Sequence, residues 1–194
     1  MILLLDANVA PGVLIRLANV ELDAIVDDED EALVVPYRWI LHKRPGYVVA
    51  TIPHPEGGYI VRKRGGREKR RYTLELHRLI MGLEYGDPRE VDHINRNKLD
   101  NRRVNLEIVN PGVNGQNIPV KAGSSQYRGV SWLVNNGRWA LPREGKWQAV
   151  GKVGGKNHFL GYFDSEEEAG RVAAEWRAVN MPFSDEGRAR RENP

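Results

Sequence analysis

Val91-Asp-His-Ile-Asn-Arg-Asn-Lys-Leu-Asp-Asn-Arg-Arg-Val-Asn-Leu-Glu-Ile-Val-Asn110 is the stretch on which the reading of this chain turns. Asp92 and His93 close a short β-run, so their side chains project to opposite sides of one strand. That arrangement suits a division of labour in which a carboxylate binds a hard divalent ion and a neutral imidazole acts as a base. The Asn-rich loop from Asn95 to Asn105 offers many side-chain to backbone hydrogen bonds, the usual way an irregular loop is held in one conformation. Asn105-Leu-Glu-Ile-Val109 reads as a returning strand, followed by a helical turn with Asn114 and Asn117. An Asp-His pair alone is an ordinary surface turn; the surrounding pattern is what makes it a candidate site.

Outward from this stretch, the chain has 194 residues, enough for one ordinary domain or two small ones with a core. Cys is absent, which excludes a disulfide framework, a thiol nucleophile and Cys-ligated zinc or iron-sulfur sites, and leaves oxygen-rich metal sites. The opening Met1-Ile-Leu-Leu-Leu5 meets Asp6 at once and falls far short of a membrane span, so the sequence reads as a cytoplasmic protein with no secretory signal. The formal charge of +3 conceals segregation: residues 1–33 carry one basic and eight acidic side chains, net −7. Residues 34–123 carry 17 basic against 9 acidic, net +8, and residues 124–194 carry 11 against 9, net +2. The densest run, Arg62-Lys-Arg-Gly-Gly-Arg-Glu-Lys-Arg-Arg71, places seven cations in ten residues. It fits either a nucleic-acid footprint or a solvated hairpin tip.

Residues 12–26 predict strand, turn, strand, interrupted by the acidic cluster Asp27-Asp-Glu-Asp-Glu31. β-branched and aromatic runs at Leu33–Leu41, Tyr47–Ile52, Tyr59–Arg62 and Arg71–Leu76, separated by Pro- and Gly-containing turns, predict a small antiparallel sheet. Glu75–Leu83 has helical spacing and stops at Gly86-Asp-Pro88. After the flexible Val120-Lys-Ala-Gly-Ser-Ser125, strands are predicted around Tyr127–Trp132, Lys146–Val150 and His158–Phe163. Ser165 with Glu168 reads as a capping box, opening a helix with Ala169, Val172, Ala173, Trp176 and Val179 on one face. The Arg-rich tail after Phe183 is expected to fray.

The central stretch resembles the HNH endonucleases, specifically the phage and prophage homing-type group, through His77-Arg78-Leu79, Asp92-His93-Ile94-Asn95, Asp100-Asn101-Arg102 and Asn105-Leu106 in order. The resemblance implies a ββα-metal (His-Me finger) nuclease acting on double-stranded DNA, with Mg²⁺ (or Mn²⁺) held by Asp92 and Asn114 and His93 taking a proton from the attacking water. Many members have a terminal His where this chain has Asn114. An amide oxygen suits Mg²⁺ rather than zinc. Asn101 or Asn105 is assigned to loop scaffolding, and His77 to packing or a phosphate contact. Arg78 and Arg102, and in the basic run Arg62, Arg64, Arg67, Lys69 and Arg70, are candidate DNA contacts, with a partner carboxylate or solvent as the plainer reading.

Ser125-Gln-Tyr-Arg-Gly-Val-Ser-Trp132, Lys146-Trp-Gln-Ala149, Leu160-Gly-Tyr-Phe163 and Ser165-Glu-Glu-Glu-Ala169 resemble the APETALA-type, ethylene-response-factor DNA-binding domain. This implies a three-stranded sheet that enters the major groove through Arg and Trp side chains, here Arg128, Trp132 and Trp147, with Arg138, Lys152 and Lys156 near phosphate. The plainer reading packs Trp132 and Trp147 on the helix. Leu133–Gly145 lengthens the first hairpin and adds Trp139, and Val172-Ala-Ala-Glu175 replaces the usual aromatic-acidic pair.

The expectation is an α+β chain: residues 1–71 an N-terminal antiparallel sheet, 72–119 the HNH nuclease core, 120–124 a linker, 125–183 a three-stranded antiparallel sheet packed on one helix, 184–194 a flexible tail. It is expected to be a monomer with no membrane or protein partner. A catalytically inactive DNA-binding regulator and a nuclease acting on structured RNA are the competing readings.

Overall fold

The computed structural model describes residues 12–62, 65–111, 113–119, 123–134 and 145–192. Arg64, Arg138, Trp139, the N-terminal apolar run, the side chain of Asn114 and part of the expected linker lie outside the described residues. The chain divides into two compact units, Met1–Pro111 and Gly112–Pro194. Both mix small antiparallel sheets with helices.

In the first unit, β1 (Val13–Arg16) and β2 (Asp23–Val26) form a hairpin with Val13 opposite Val26. The expected strand over Leu33–Leu41 is instead a short helix, α1 (Glu31–Val34), and a two-residue strand, β3 (Ile40–Leu41). Pro36 cannot donate to a ladder, and the Trp39 indole N–H closes the intervening turn by donating to the Val34 carbonyl at 2.8 Å. β4 (Val48–Pro53) lies between β3 and β7 (Arg71–Glu75). Val48, Val49 and Ala50 are buried, whereas Thr51 and Pro53 are exposed, so the ladder enters the core only at its Tyr47 end. The basic run is only in part a turn: Arg67–Lys69 forms β6, paired with β5 (Tyr59–Val61). α2 spans only Leu76–Ile80, because Glu75 still belongs to β7 and Gly82, at φ +68°, turns the chain out of the helix. β8 (Glu90–His93) and β9 (Leu106–Val109) complete the unit as a hairpin. Val26, Val34, Trp39, Val48, Leu76 and Ile80 form the centre of its core. Burying each aliphatic side chain contributes about 1.5–3 kcal/mol.

The acidic cluster near residue 30 has an internal use. Asp27 accepts the Arg103 backbone N–H at 2.7 Å, and the Asp30 carboxylate takes Arg103 Nε and Nη2 at 2.9 and 2.7 Å. Both fasten the loop between β8 and β9 to the N-terminal hairpin.

In the second unit, β10 (Val130–Leu133), β11 (Lys146–Val153) and β12 (Lys156–Phe163) form the expected sheet, in that order. The helix α3 (Glu166–Asn180) is capped by Ser165, whose hydroxyl accepts the Glu168 N–H at 3.2 Å. Small residues let it close on the sheet: a Cβ on Gly151 would lie 2.4 Å from the Trp176 ring, and one on Gly170 2.5 Å from Tyr127. Ala169 and Ala173 are buried as expected, but Val179 is 63% exposed and Arg177 takes the inner position. Arg177 donates Nε to Glu186 at 2.9 Å and Nη1 to the Arg128 carbonyl.

The tail expected to fray forms a further helix, α4 (Asp185–Glu192), in contact with α3. Ser184 starts it, accepting the Gly187 N–H at 3.1 Å, and the Arg177–Glu186 pair ties it down. Charge periodicity alone hides this, because the buried groups are Gly187, Arg188 and Ser184 rather than large apolar side chains. A Cβ on Gly187 would meet the Met181 carbonyl at 2.2 Å. Gly187→Ala is expected to cost about 1–3 kcal/mol in urea unfolding, against less than about 0.5 kcal/mol for the exposed Arg190→Ala. Equal unfolding midpoints for the two variants would show α4 undocked.

Candidate active site

Register places Asp92 opposite Glu107 and His93 opposite Leu106. Alternation turns Val91 and His93 to one side of β8 and Asp92 to the other, yet Asp92 is only 7% and His93 only 3% exposed. Both functional groups are therefore held in a low-dielectric setting rather than on a surface turn.

The loop that follows is built from amide hydrogen bonds. The Ile94 N–H donates to the Asn105 carbonyl at 2.9 Å, extending the ladder by one step. Asn105 then bridges the loop: its Oδ1 accepts the Asn95 N–H at 2.8 Å and its Nδ2 donates to the Asp100 carbonyl at 2.7 Å. Asn95 Oδ1 accepts the Asn97 N–H at 2.8 Å, a local Asx turn, and Asn95 Nδ2 donates to Asp100 Oδ2 at 3.0 Å. Asp100 also receives Arg102 Nε and Nη2, each at 2.8 Å. Burial by itself would raise the Asp100 carboxyl, but the Arg102 fork and the Asn95 amide hold it below its usual range.

Asn101, wholly buried, is the loop residue that reaches the site. Its Nδ2 donates to the Lys98 carbonyl at 3.2 Å, which turns its Oδ1 toward His93 Nε2 at 3.3 Å. The acceptor oxygen assigns the proton to Nε2 and leaves the lone pair of the neutral ring on Nδ1. Burial pushes the His93 pKa down, and the Asn101 hydrogen bond and the Asp92 charge only partly offset it. His93 is thus neutral at pH 7, the state a general base requires.

A second layer of rings lies behind His93. His77 sits with its ring centroid 5.2 Å from that of His93 and 4.6 Å from that of Tyr47; the Tyr47 and His93 rings stack at 6.0 Å. Lys98 Nζ lies 4.2 Å from the Tyr47 centroid and donates to the Pro45 carbonyl at 2.6 Å. The Tyr47 phenol is raised first by burial and then by Glu75, Asp92 and Glu90. His77 Nε2 is 3.6 Å from Glu75 Oε2, and burial, followed by the neighbouring His93, pushes its pKa down to about 3. Its Nδ1 finds no hydrogen-bond partner among the described residues. The sequence marks His77 through its place beside Arg78 and Leu79. Tyr47, Glu75 and Lys98 leave no comparable trace, because register and packing alone bring them to the His77–His93 pair.

The other sequence-derived residues divide by what they touch. Arg78 donates to the carbonyls of Arg89 at 2.5 Å and Asp87 at 2.9 Å, closing the connection from α2 to β8, and Arg102 is buried against Asp100. Arg128 Nη1 donates to the Gln116 carbonyl at 2.6 Å. Asn114 begins the single turn Asn114–Gln116, and Asn117 is buried beside it. Trp132 and Trp147 are direct partners with centroids 5.0 Å apart, on the face of the sheet that carries the buried Val130 and Ala149. The opposite face carries Gln148, Val150, Lys152, Phe159 and Tyr162, with Phe159 59% and Tyr162 41% exposed and their rings 4.9 Å apart. Sequence reading passes over Phe159 and Tyr162, because residues three apart alternate to opposite faces and only the register irregularity opposite Ala149 and Val150 brings the two to one side.

Residues 75–116 match the family model for HNH endonucleases. This match supports a nuclease and implies a nucleic-acid substrate. No curated protein and no solved structure matches the chain.

The depressed His77 pKa has a consequence for stability. Above about pH 6.5 both folded and unfolded states carry neutral His77, and its contribution is fully present. As pH falls from there toward about 3, only the unfolded state takes up the proton, so stability falls by up to about 1.4 kcal/mol per pH unit. His77→Gln is expected to flatten this slope in urea unfolding between pH 7 and pH 5. An unchanged slope would refute burial of a neutral His77.

Proposed function

We propose that the chain is a metal-dependent DNA endonuclease of the phage or mobile-element homing type, which hydrolyses phosphodiester bonds through its HNH segment and is targeted by an APETALA-type second unit. The observation that carries this reading is His93: a buried, neutral imidazole with Nε2 turned to a wholly buried amide oxygen, inside the stretch that matches HNH endonucleases.

In this reading β8 and β9 are the two strands of a ββα-metal arrangement. Among the described residues, no group of three or more His, Asp or Glu side chains is placed to hold a metal ion. Mg²⁺ does not need such a cage: it keeps several waters and uses one or two protein oxygens together with substrate phosphate. Asp92, a hard anionic donor adjacent to the base, fits that demand, and Asn114 is assigned as a further oxygen ligand on the sequence pattern. With no Cys in the chain, Mg²⁺ or Mn²⁺ is favoured over zinc. When bound, the ion supplies charge stabilisation at the scissile phosphate and the departing 3′ oxygen.

The protein's own groups do the rest. His93 Nδ1 takes a proton from the attacking water, and the Asn101 amide holds the ring in the tautomer that makes Nδ1 the acceptor. Asn105 and the Asp100–Arg102 pair keep the loop from shifting that amide. His77 and Tyr47 fill the space behind the ring and exclude water from it. Cations of the basic run that have no carboxylate partner, Arg67 and Lys69, contribute phosphate neutralisation. In the second unit, the helix-free face with Gln148, Lys152, Phe159 and Tyr162 is the surface offered to the major groove, and Arg128, Trp132 and Trp147 brace it.

The test is relaxation of supercoiled plasmid. Wild-type protein with Mg²⁺ is expected to convert it to nicked or linear product, and EDTA to stop the reaction. His93→Ala is expected to retain DNA binding and to cut about 10²–10⁴-fold more slowly. No metal-dependent product from the wild type, or full activity in His93→Ala, would overturn the assignment; cleavage of structured RNA alone would redirect it to that substrate.

A further inference from the structure

The connection between β4 and β7 carries the densest charge of the chain and takes no part in either core. β5 and β6 form a two-stranded ribbon with Tyr59 opposite Lys69, Ile60 opposite Glu68 and Val61 opposite Arg67. None of these six residues belongs to the hydrophobic clusters of the described residues. Directly paired residues share a face, so the register sorts the ribbon into two unlike sides.

One side carries Ile60, Glu68, Arg62 and Arg70, and its cations are engaged. Arg62 Nε donates to Glu68 Oε2 at 2.7 Å, while Arg70 lies 3.1 Å from His54 Nε2 and 3.7 Å from Glu56 Oε2. The other side carries Tyr59, Val61, Arg67 and Lys69 and no carboxylate. All four are exposed, Tyr59 at 58% and Val61 at 75%. The Arg67 guanidinium lies 5.9 Å over the Tyr59 ring, which orders the cation without neutralising it. Among the described residues of the ribbon, the cations without a carboxylate partner thus share one apolar-cationic face.

Resting on the endonuclease reading above, we infer that this face of the β5–β6 ribbon enters the major groove of duplex DNA flanking the cleavage position, with Arg67 and Lys69 on phosphates and Tyr59 and Val61 against base edges. The major groove, about 12 Å wide, admits a two-stranded ribbon. Duplex is favoured over single strand because the one aromatic ring of this face is already covered by Arg67, which leaves no stacking platform. The ribbon leaves the β4–β7 ladder at Pro53–Arg71, whereas the end nearest Tyr47 and His77 is Val49–Glu75. Four strand residues span about 14 Å, which corresponds to roughly four base pairs between cut and ribbon contact.

The experiment measures anisotropy of a labelled DNA duplex against salt concentration, with full-length protein in EDTA. The double variant Arg67→Gln/Lys69→Gln is expected to lower the slope of log K against log salt by about 1.8, since each phosphate contact contributes about 0.9. The charge-balanced double variant Arg62→Gln/Glu68→Gln is expected to leave the slope unchanged. Tyr59→Ala is expected to weaken duplex binding at an unchanged slope and to displace less of the major-groove dye methyl green per bound protein. Equal slopes for the two double variants, the same loss on single-stranded DNA, or no duplex binding by the wild type would overturn the inference. Plasmid cleavage by the same preparations separates the two claims. A slope loss without wild-type cleavage faults the nuclease reading alone, and cleavage with coincident slopes faults the ribbon alone.

Discussion

Two backbone hydrogen bonds hold the candidate site in place: the Ile25 N–H donates to the Leu99 carbonyl and the Asn101 N–H donates to the Ile25 carbonyl, each at 2.8 Å. Through them the edge of β2 becomes a template for the middle of the loop between β8 and β9, with Ile25 bridged to Asp100 in parallel. Asn101 is buried as a result, and only a buried, immobile amide can keep its Oδ1 on His93. Without this docking the loop would keep its own Asx turns and the Arg103 contacts to Asp27 and Asp30, none of which holds Asn101 at a set distance from β8. The N-terminal hairpin is thus part of the site's support rather than an appendage.

Electrostatics follows the same plan. The negative N-terminal segment and the positive segment after it are not two opposed surfaces, because Asp27 and Asp30 are spent on Arg103 and Asp100 on Arg102. These five charges are consumed in the scaffold. Arg78 is held likewise by backbone carbonyls. Arg67 and Lys69, by contrast, stay exposed on the carboxylate-free side of the β5–β6 ribbon. Around His93 burial is decisive, and it keeps both His93 and His77 neutral in spite of the carboxylates nearby.

The parts of the fold that could be read from sequence were those in which local pattern and tertiary demand coincide. The β1–β2 hairpin, β4, the β8–β9 hairpin and the three strands before α3 have β-branched or aromatic alternation between turn residues, and all form as expected. The misreadings share a cause. Leu33–Leu41 has strand composition, but Trp39 buries itself by bonding to Val34, and one turn of helix results. The tail after Phe183 has no apolar stripe, but Gly187 and Ser184 give a close helix contact that needs no large side chain. Val179 and Arg177 exchange their expected places because the Arg177 guanidinium has a buried carbonyl and a carboxylate to satisfy it.

For the candidate site, sequence by itself determined the chemistry available: an adjacent Asp and His, an amide-rich loop, no thiols, and a cationic run. Residue order carries this much because spacing along a strand decides which side chains share a neighbourhood. The tertiary structure decided which amide faces His93, that His77 and Tyr47 stand behind it, which arginines are spent within the protein, and which face of each sheet remains open. Those outcomes depend on the register of strands far apart in sequence and on burial, and a shift of one residue in any ladder would reverse them without changing a single local signal.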